Sequence, residues 1–82
     1  MPQTLDPSED FIQLLHNHVG GQWENLESEE PGKHTIRYLI RGDEVGRASA
    51  TKIVKAKKIV AYRYLRDNGF LEKTNEAMEA LL

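Results

Sequence analysis

Cysteine is absent from the chain, which excludes both a disulfide framework and a thiolate metal site. No apolar run approaches the about 20 residues that a membrane-spanning helix needs, so we expect no membrane partner. The first residues lack the basic start and the apolar stretch of a secretory signal peptide. A length of 82 residues suffices for one small domain. We therefore expect an intracellular module, cytoplasmic or nuclear and not secreted.

Arrangements that support catalysis or cofactor binding are missing as well. The sequence has no phosphate-cradling glycine loop and no nucleophile placed with a base. His16 and His18 stand two residues apart in a predicted helix, where side chains at that spacing do not face each other. They therefore form no metal site. The sequence predicts a protein that is not an enzyme and that uses no cofactor or metal.

Charge of both signs is present, but the signs are separated along the chain. Residues 1–32 contain seven acids and no lysine or arginine, whereas residues 33–66 contain ten bases and two acids. Residues 67–82 contain four acids and one base. The net charge of −2 therefore conceals a basic segment. A local basic field attracts phosphates and favours an anionic partner, although a solvated helix face would carry the same residues.

Apolar residues at helical spacing predict two main helices. The first covers residues 7–19, with Asp6 as its N-cap, and a pair of glycines ends it. The second covers about residues 51–66. Its buried stripe is expected to consist of Ile53, Ala56, Val60 and Tyr64, widened by Ala61 and Leu65. Residues 72–82 predict a shorter third helix capped by Thr74, which either folds back on its own domain or pairs with another chain.

Three strands are predicted between the two main helices. Residues 22–28 form the weakest candidate, and residues 35–41 form the best one because β-branched and aromatic residues dominate there. A tight turn at residues 42–44 leads into a return strand over residues 45–50. One face of that strand carries only small residues, which indicates that another element packs very close to it. These residues are Gly46, Ala48 and Ala50.

The order of the predicted elements is α-β-β-β-α, followed by the C-terminal tail. This order predicts an α+β fold, a two-layer sandwich in which two helices pack on one face of a three-stranded antiparallel sheet. Trp23 and Tyr38 are expected in the core or on the covered sheet face rather than as platforms for base stacking.

Over about residues 7–65 the chain resembles the double-stranded RNA-binding domain family. The first helix of that family opens with Pro-x-x-x-Leu-x-Glu, and Pro7, Phe11 and Gln13 occupy those places here. The family then has an aromatic residue in its first strand, where this chain has Trp23.

The second half of the chain extends the resemblance. The family has a Gly-Pro-x-His loop and an aromatic residue four positions after the histidine; this chain has Pro31-Gly32-Lys33-His34 and Tyr38, with proline and glycine exchanged. The family continues with Gly-x-Gly-x-Gly-x-Ser-Lys-Lys-x-Ala-Lys-x-x-Ala-Ala-x-x-Ala-Leu, which aligns without gaps to residues 46–65. The departure is that Ile53 and Val54 replace the two leading lysines.

The resemblance implies a protein that recognises the shape of duplex RNA. The first helix and the loop between the first two strands would each contact a minor groove, and the start of the second helix would bridge phosphates. The implied role is sequence-independent RNA binding in an RNA-processing or RNA-silencing protein, such as a Dicer-like ribonuclease or its partner. The RNA-binding candidates are Lys52, Lys55, Lys57, Lys58, His34, Gln13 and His16. The domain would cover residues 7–66, with an N-terminal tail over residues 1–6 and a C-terminal extension over residues 67–82.

The alternative is a degenerate copy of the same fold that binds protein, with weak RNA binding or none. Replacing two cations by Ile53 and Val54 would weaken RNA binding by about 1–3 kcal/mol. An apolar patch formed by Ile53, Val54, Ile59 and the C-terminal tail would then mediate homodimerisation or dock a ribonuclease.

Overall fold

A three-stranded sheet with helices on one face forms the framework of the protein. The computed structural model describes residues 10–82, so the predicted tail over residues 1–6 and the Asp6 cap lie outside the described residues. The elements are α1 (Phe11–His18), β1 (Gln22–Leu26), β2 (His34–Ile40), β3 (Asp43–Ala50), α2 (Ile53–Asp67) and α3 (Glu76–Glu79). Both strand pairs are antiparallel, in the order β1-β2-β3. The predicted α+β fold with α-β-β-β-α order is confirmed, and a short third helix follows it.

The first helix, α1, begins at Phe11, and the predicted start at residues 7–9 lies outside the described residues. Asp10 is its N-cap, and the Asp10 carboxylate accepts a hydrogen bond from the Gln13 N–H at 3.2 Å. Phe11 and Leu15 are buried, and the Phe11 ring meets the ring of Tyr62 edge-on with 5.0 Å between centroids. The helix is therefore held by the side of α2.

The hairpin between β2 and β3 turns one residue earlier than predicted. Arg41 and Gly42 form the turn, and their φ angles of 54° and 86° are both positive, as a two-residue type I′ turn requires. The register then shifts between Tyr38 and Leu39, which leaves Val45 as the extra residue of a β-bulge.

The small-residue face of β3 receives α2, as predicted. Ala50 is buried and Gly46 and Ala48 are half-buried, while the residues between them are exposed. A Cβ atom built on Gly46 would lie 2.8 Å from Cγ1 of Val60, so α2 approaches the strand to a distance that only glycine permits.

The buried surface of α2 is wider than the predicted stripe and shifted away from its first turn. It consists of Ala56, Ile59, Val60, Ala61, Tyr62 and Leu65. Ile53 was predicted to extend the stripe but is 36% exposed, and Tyr64 is only half-buried. The difference arises because α2 packs not only on the sheet but also against α1 and α3, which cover other sides of the helix. This helix of 15 residues is the longest within the described residues, none of whose helices is long and apolar enough to cross a membrane.

The C-terminal residues fold back on the domain as α3. The cap is Asn75 rather than the predicted Thr74, and its side chain accepts a hydrogen bond from the Met78 N–H at 3.0 Å. Met78 is buried in the same core as Phe11 and Leu65. Of the two predicted arrangements for this segment, the structure shows packing on its own domain.

A hydrogen-bonded cluster ties α3 to α2. The buried Tyr62 hydroxyl donates to Oε2 of Glu79 at 2.5 Å and accepts from the Asn75 N–H at 2.9 Å. Nη1 of Arg66 donates to the other Glu79 oxygen at 2.8 Å. The hydrogen bond from Tyr62, followed by that from Arg66, lowers the pKa of the Glu79 carboxyl.

Candidate nucleic-acid interface

Several of the RNA-binding candidates meet at one end of the sheet. His34, the first residue of β2, pairs with Ala50, the last residue of β3. Lys52 follows Ala50 by two residues and is the N-cap of α2. The β1–β2 loop, residues 27–33, leaves the sheet at this same end because Leu26 pairs with Thr35. The fold thus places the loop, the exposed His34 and the start of α2 at a common edge.

The start of α2 lacks the residues that usually stabilise a helix N-terminus. Lys52 occupies the N-cap but makes no side-chain cap hydrogen bond, and the first turn contains no acidic residue. Helix N-termini favour Ser, Thr, Asp or Asn at the cap and acids in the first turn, because the N–H groups and the dipole are positive there. Lys55 adds another cation to the same turn. A surface with this local potential is suited to an external anion.

Ion pairing separates the cations of the molecule into two groups. Lys33, Arg37, Arg47 and Arg66 each lie within 4.0 Å of a carboxylate oxygen. None of the cations in the α2 segment before Arg66 forms an ion pair with a carboxylate of the described residues. These unpaired cations are Lys52, Lys55, Lys57, Lys58 and Arg63. The lysines and arginines without a carboxylate partner therefore lie mainly on α2.

The uncovered face of the sheet is neutralised by its own acids. Nε of Arg37 donates to Glu24 at 2.6 Å, and Nη2 of Arg47 donates to Glu44 at 2.6 Å. The hydrogen bond from Arg47 lowers the pKa of the Glu44 carboxyl. Arg37 also reaches Glu44 at 3.4 Å, which links the three strands. The charges of Arg37 and Arg47 on this face are therefore matched by carboxylates of the same sheet.

Lys57 differs from the other lysines in having an aromatic partner. Its Nζ lies 5.5 Å from the centroid of the Trp23 ring, which in turn packs 4.6 Å from the ring of Tyr38. Tyr38 is buried, and its hydroxyl accepts the Gly21 N–H at 2.5 Å. Trp23 and Tyr38 thus lie on the covered sheet face, as predicted. The cation–π contact places the Lys57 ammonium on the side of α2 above β1.

The β1–β2 loop has a defined shape. Pro31 and Gly32 occupy the central positions of a turn in which Gly32 has φ of 77° and the Lys33 N–H donates to the Glu30 carbonyl at 3.3 Å. A proline followed by a glycine at positive φ is the pattern of a type II turn, so the exchanged order of these residues gives a regular loop. The acids of this loop line a shallow cavity on the sheet face that the helices leave uncovered, together with Thr35, Arg47 and Ser49. These acids are Glu27, Glu29 and Glu30.

The two candidates on α1 lie apart from the lysines at the start of α2, Lys52 and Lys55. Gln13 and His16 are exposed, and Nε2 of Gln13 donates to Oδ1 of Asn17 at 2.9 Å. The contact of α1 with α2 lies at Tyr62, which is ten residues or about 15 Å along the helix from Lys52. The structure therefore divides the candidates into an α2-tip group with His34 and a separate α1 group.

The proposed apolar patch is smaller than predicted. Val54 is 61% exposed and Ile53 is 36% exposed, so both are accessible at the start of α2. Ile59 is 7% exposed and belongs to the core, and its assignment to a protein interface was wrong. Residue spacing did not reveal this because the helix is covered on more than one side. Tyr62, the hub of the contacts with α1 and α3, was missed for the same reason.

Comparisons with known proteins returned no match to a family model, to a curated protein or to a solved structure. The function is therefore inferred from the residues and geometry of this chain.

Proposed function

We propose that the protein binds duplex RNA independently of its sequence, through the start of α2. The observation that carries this proposal is the group of unpaired lysines at a helix N-terminus without a side-chain cap, whose first turn holds no acid. Positive side chains and free N–H groups at such a position stabilise a phosphate. These residues destabilise the isolated helix. Residues that lower local stability without a gain in packing are typical of a functional site.

The remaining candidates would extend contact along the RNA. His34 begins β2 at the same end of the sheet as the start of α2, directly after the loop that would enter a minor groove. Gln13 and His16 lie on α1, beside the second half of α2, and would contact another groove. A-form RNA is read by shape across its minor grooves, and domains of the resembled family span about 16 base pairs.

The proposal includes membership of the double-stranded RNA-binding domain family and a place in an RNA-processing or RNA-silencing protein. The order of elements and the close contact of Gly46 with α2 support it. Ile53 and Val54 in place of lysines predict weaker binding than the family pattern would give.

A titration with duplex RNA of about 20 base pairs, slightly longer than the about 16 that such a domain spans, tests this function. The wild-type chain should bind with an affinity that falls steeply as salt rises, and a DNA duplex of equal length should bind poorly. The double variant Lys52→Ala/Lys55→Ala should bind more weakly, and its salt slope should be smaller by about 1 for each phosphate that the chain no longer neutralises.

Lys73→Ala is the matched control, because Lys73 is an exposed lysine outside α2 that forms no ion pair within the described residues. It should leave RNA affinity and salt slope unchanged. The RNA-binding proposal fails if the wild-type chain causes no mobility shift at low salt, or if the control variant weakens binding as much as the double variant.

Protein docking at the same tip is the second candidate function, and the exposure of Val54 favours it. An aliphatic side chain that is 61% exposed between cations contributes nothing to phosphate binding. Val54→Ser should abolish protein association while leaving RNA affinity unchanged, so binding assays with both ligands separate the two functions.

A further inference from the structure

A cavity of about 500 Å³ opens at the end of the sheet opposite to the start of α2. It lies where the chain passes from α1 to β1 and where the β2–β3 hairpin turns, and none of the RNA-binding candidates lines it. Arg41 and Asp43 line it together with the backbone of Gly20 and Gly21. Its apolar walls are the side chains of Val19, Ile40 and Val45.

Two opposite charges line this cavity without forming an ion pair. Arg41 and Asp43 stand on either side of Gly42, and both side chains are exposed. Neither side chain comes within 4.0 Å of an opposite charge among the described residues. The cavity therefore holds a guanidinium and a carboxylate that are both available to a ligand.

The backbone around the cavity departs from regular geometry at two places. Arg41 has φ of 54°, and it is the one described residue other than glycine with a positive φ. The first position of a type I′ turn favours Asn, Asp or Gly, so an arginine there lowers the stability of the turn. Val45 is the extra residue of the β-bulge, and bulges often lie next to active sites, where they redirect a side chain. Strain of this kind is characteristic of functional sites.

We propose that this cavity binds a small zwitterion with an apolar body, the chemical class of a free aliphatic α-amino acid. The carboxylate of the ligand would pair with Arg41, because a planar guanidinium matches a carboxylate in shape. The ammonium would pair with Asp43, and the aliphatic side chain would lie against the apolar walls. The volume falls in the range of about 300–1,000 Å³ that small-molecule sites occupy.

Charge complementarity selects this class over others. A simple anion would be repelled by Asp43, and a simple cation would be repelled by Arg41. A ligand without charges would cover both side chains and leave them without partners. A peptide would bring only one of its charged ends to the cavity. Because the charged side chains are exposed, their ion pairs with a ligand are weak, and we expect affinity in the millimolar range.

A titration of the isotope-labelled chain with L-leucine, followed by NMR, tests the site. L-leucine should shift the amide signals of residues 19–21 and 40–45 in a saturable way. Three related compounds each lack one feature of the ligand: N-acetyl-leucine lacks the ammonium, leucine methyl ester lacks the carboxylate, and glycine lacks the aliphatic side chain. Each should bind about tenfold more weakly than L-leucine.

Arg41→Asn separates the ligand site from the stability of the fold. Asparagine suits the left-handed position of the turn, so the Tm should not fall, while L-leucine affinity should drop about tenfold. Asp43→Asn should weaken L-leucine binding but should not weaken the binding of N-acetyl-leucine, which has no ammonium. Arg63→Gln, at an arginine of α2 without an ion pair among the described residues, is the control and should bind L-leucine like the wild type.

The inference is overturned if L-leucine shifts no signals around the cavity, or if N-acetyl-leucine and the methyl ester bind as tightly as L-leucine. Unchanged L-leucine affinity in both Arg41→Asn and Asp43→Asn would also overturn it. The site does not rest on the proposed RNA binding. Titrations with L-leucine and with duplex RNA therefore test two separate surfaces, and either proposal can fail while the other stands.

Discussion

At the scale of single residues, Lys52 destabilises the start of α2 while supplying a positive charge for the proposed anion binding. A lysine at the N-cap leaves the first N–H groups of α2 without a side-chain acceptor and adds positive charge to the positive end of the helix dipole. Nothing in the packing requires lysine, because the side chain is exposed. An external anion would offset this destabilisation.

Replacing Lys52 by serine should therefore separate the two properties. Lys52→Ser supplies a cap acceptor and removes a charge, and we expect the free energy of unfolding to rise by about 0.5–1 kcal/mol. RNA affinity should fall in the same variant. Thermal denaturation and an RNA titration measure the two effects, and Lys73→Ser provides the comparison. A variant that is less stable than the wild type would contradict the assignment of the cap.

At the scale of elements, the contact between β3 and α2 fixes the layer spacing. Gly46 and Val60 meet where the helix crosses the strand, and Val60 is stiff and 1% exposed. A side chain at position 46 would push the helix away from the sheet.

Gly46→Ala should therefore destabilise the fold by about 1–3 kcal/mol through overpacking. Chemical denaturation of Gly46→Ala, Val60→Ala and the double variant forms the test. The double variant should lose less stability than the two single changes together, because removing the Cγ atoms of Val60 makes room for the new methyl group. Additive losses would show that the two positions do not share a contact.

The junction of α3 with α2 gives a second test among the elements. Tyr62→Phe keeps the ring against Phe11 but removes the hydroxyl that serves Glu79 and the Asn75 N–H. We expect a loss of about 1–3 kcal/mol, since both partners would lose their hydrogen bond. Hydrogen exchange should show α3 opening more often while β2 and β3 remain protected.

The pH dependence of this junction follows from Glu79. Its pKa is lowered in the folded state, so the stabilisation is present above the unfolded pKa of about 4.3 and is lost as pH falls through the folded pKa. Stability measured from neutral to acidic pH should decline in that window. The decline should be smaller in Glu79→Gln, and an unchanged decline would assign the acid sensitivity to another carboxyl.

At the scale of the whole molecule, acidic and basic surfaces meet at one end. If RNA binds at the start of α2 as proposed, the loop acids Glu27 and Glu29 would repel it, because the β1–β2 loop leaves the sheet at the same end. The molecule thus combines an attractive surface with a repulsive neighbour.

Removing the loop charges should strengthen RNA binding. Glu27→Gln/Glu29→Gln should raise affinity at low salt, and the gain should shrink as salt increases, because exposed charges are screened. RNA titrations at two salt concentrations measure it, with Glu72→Gln as the comparison. An equal gain at both salt concentrations would point to a change in loop structure instead.

Local patterns in the sequence predicted much of this protein. The alternation around Ile36 and Tyr38 placed β2, and the small residues from Gly46 to Ala50 predicted a closely packed helix. The cap of α3 is Asn75 and not Thr74, because neighbouring residues both carry side-chain oxygens that can cap a helix. The burial of Ile59 and Tyr62 could not be predicted, since it depends on α1 and α3 reaching α2 from the sides.

The sequence by itself determined the order of elements, the faces of the strands and the separation of charge along the chain, because these depend on residues a few positions apart. Only the tertiary structure decided which cations remain available. It paired Arg37 with acids distant in sequence and left Lys52 and Lys55 without an ion pair among the described residues. The physical reason is that charges interact through space, so their partners are set by the folding of the strands and not by their positions in the chain.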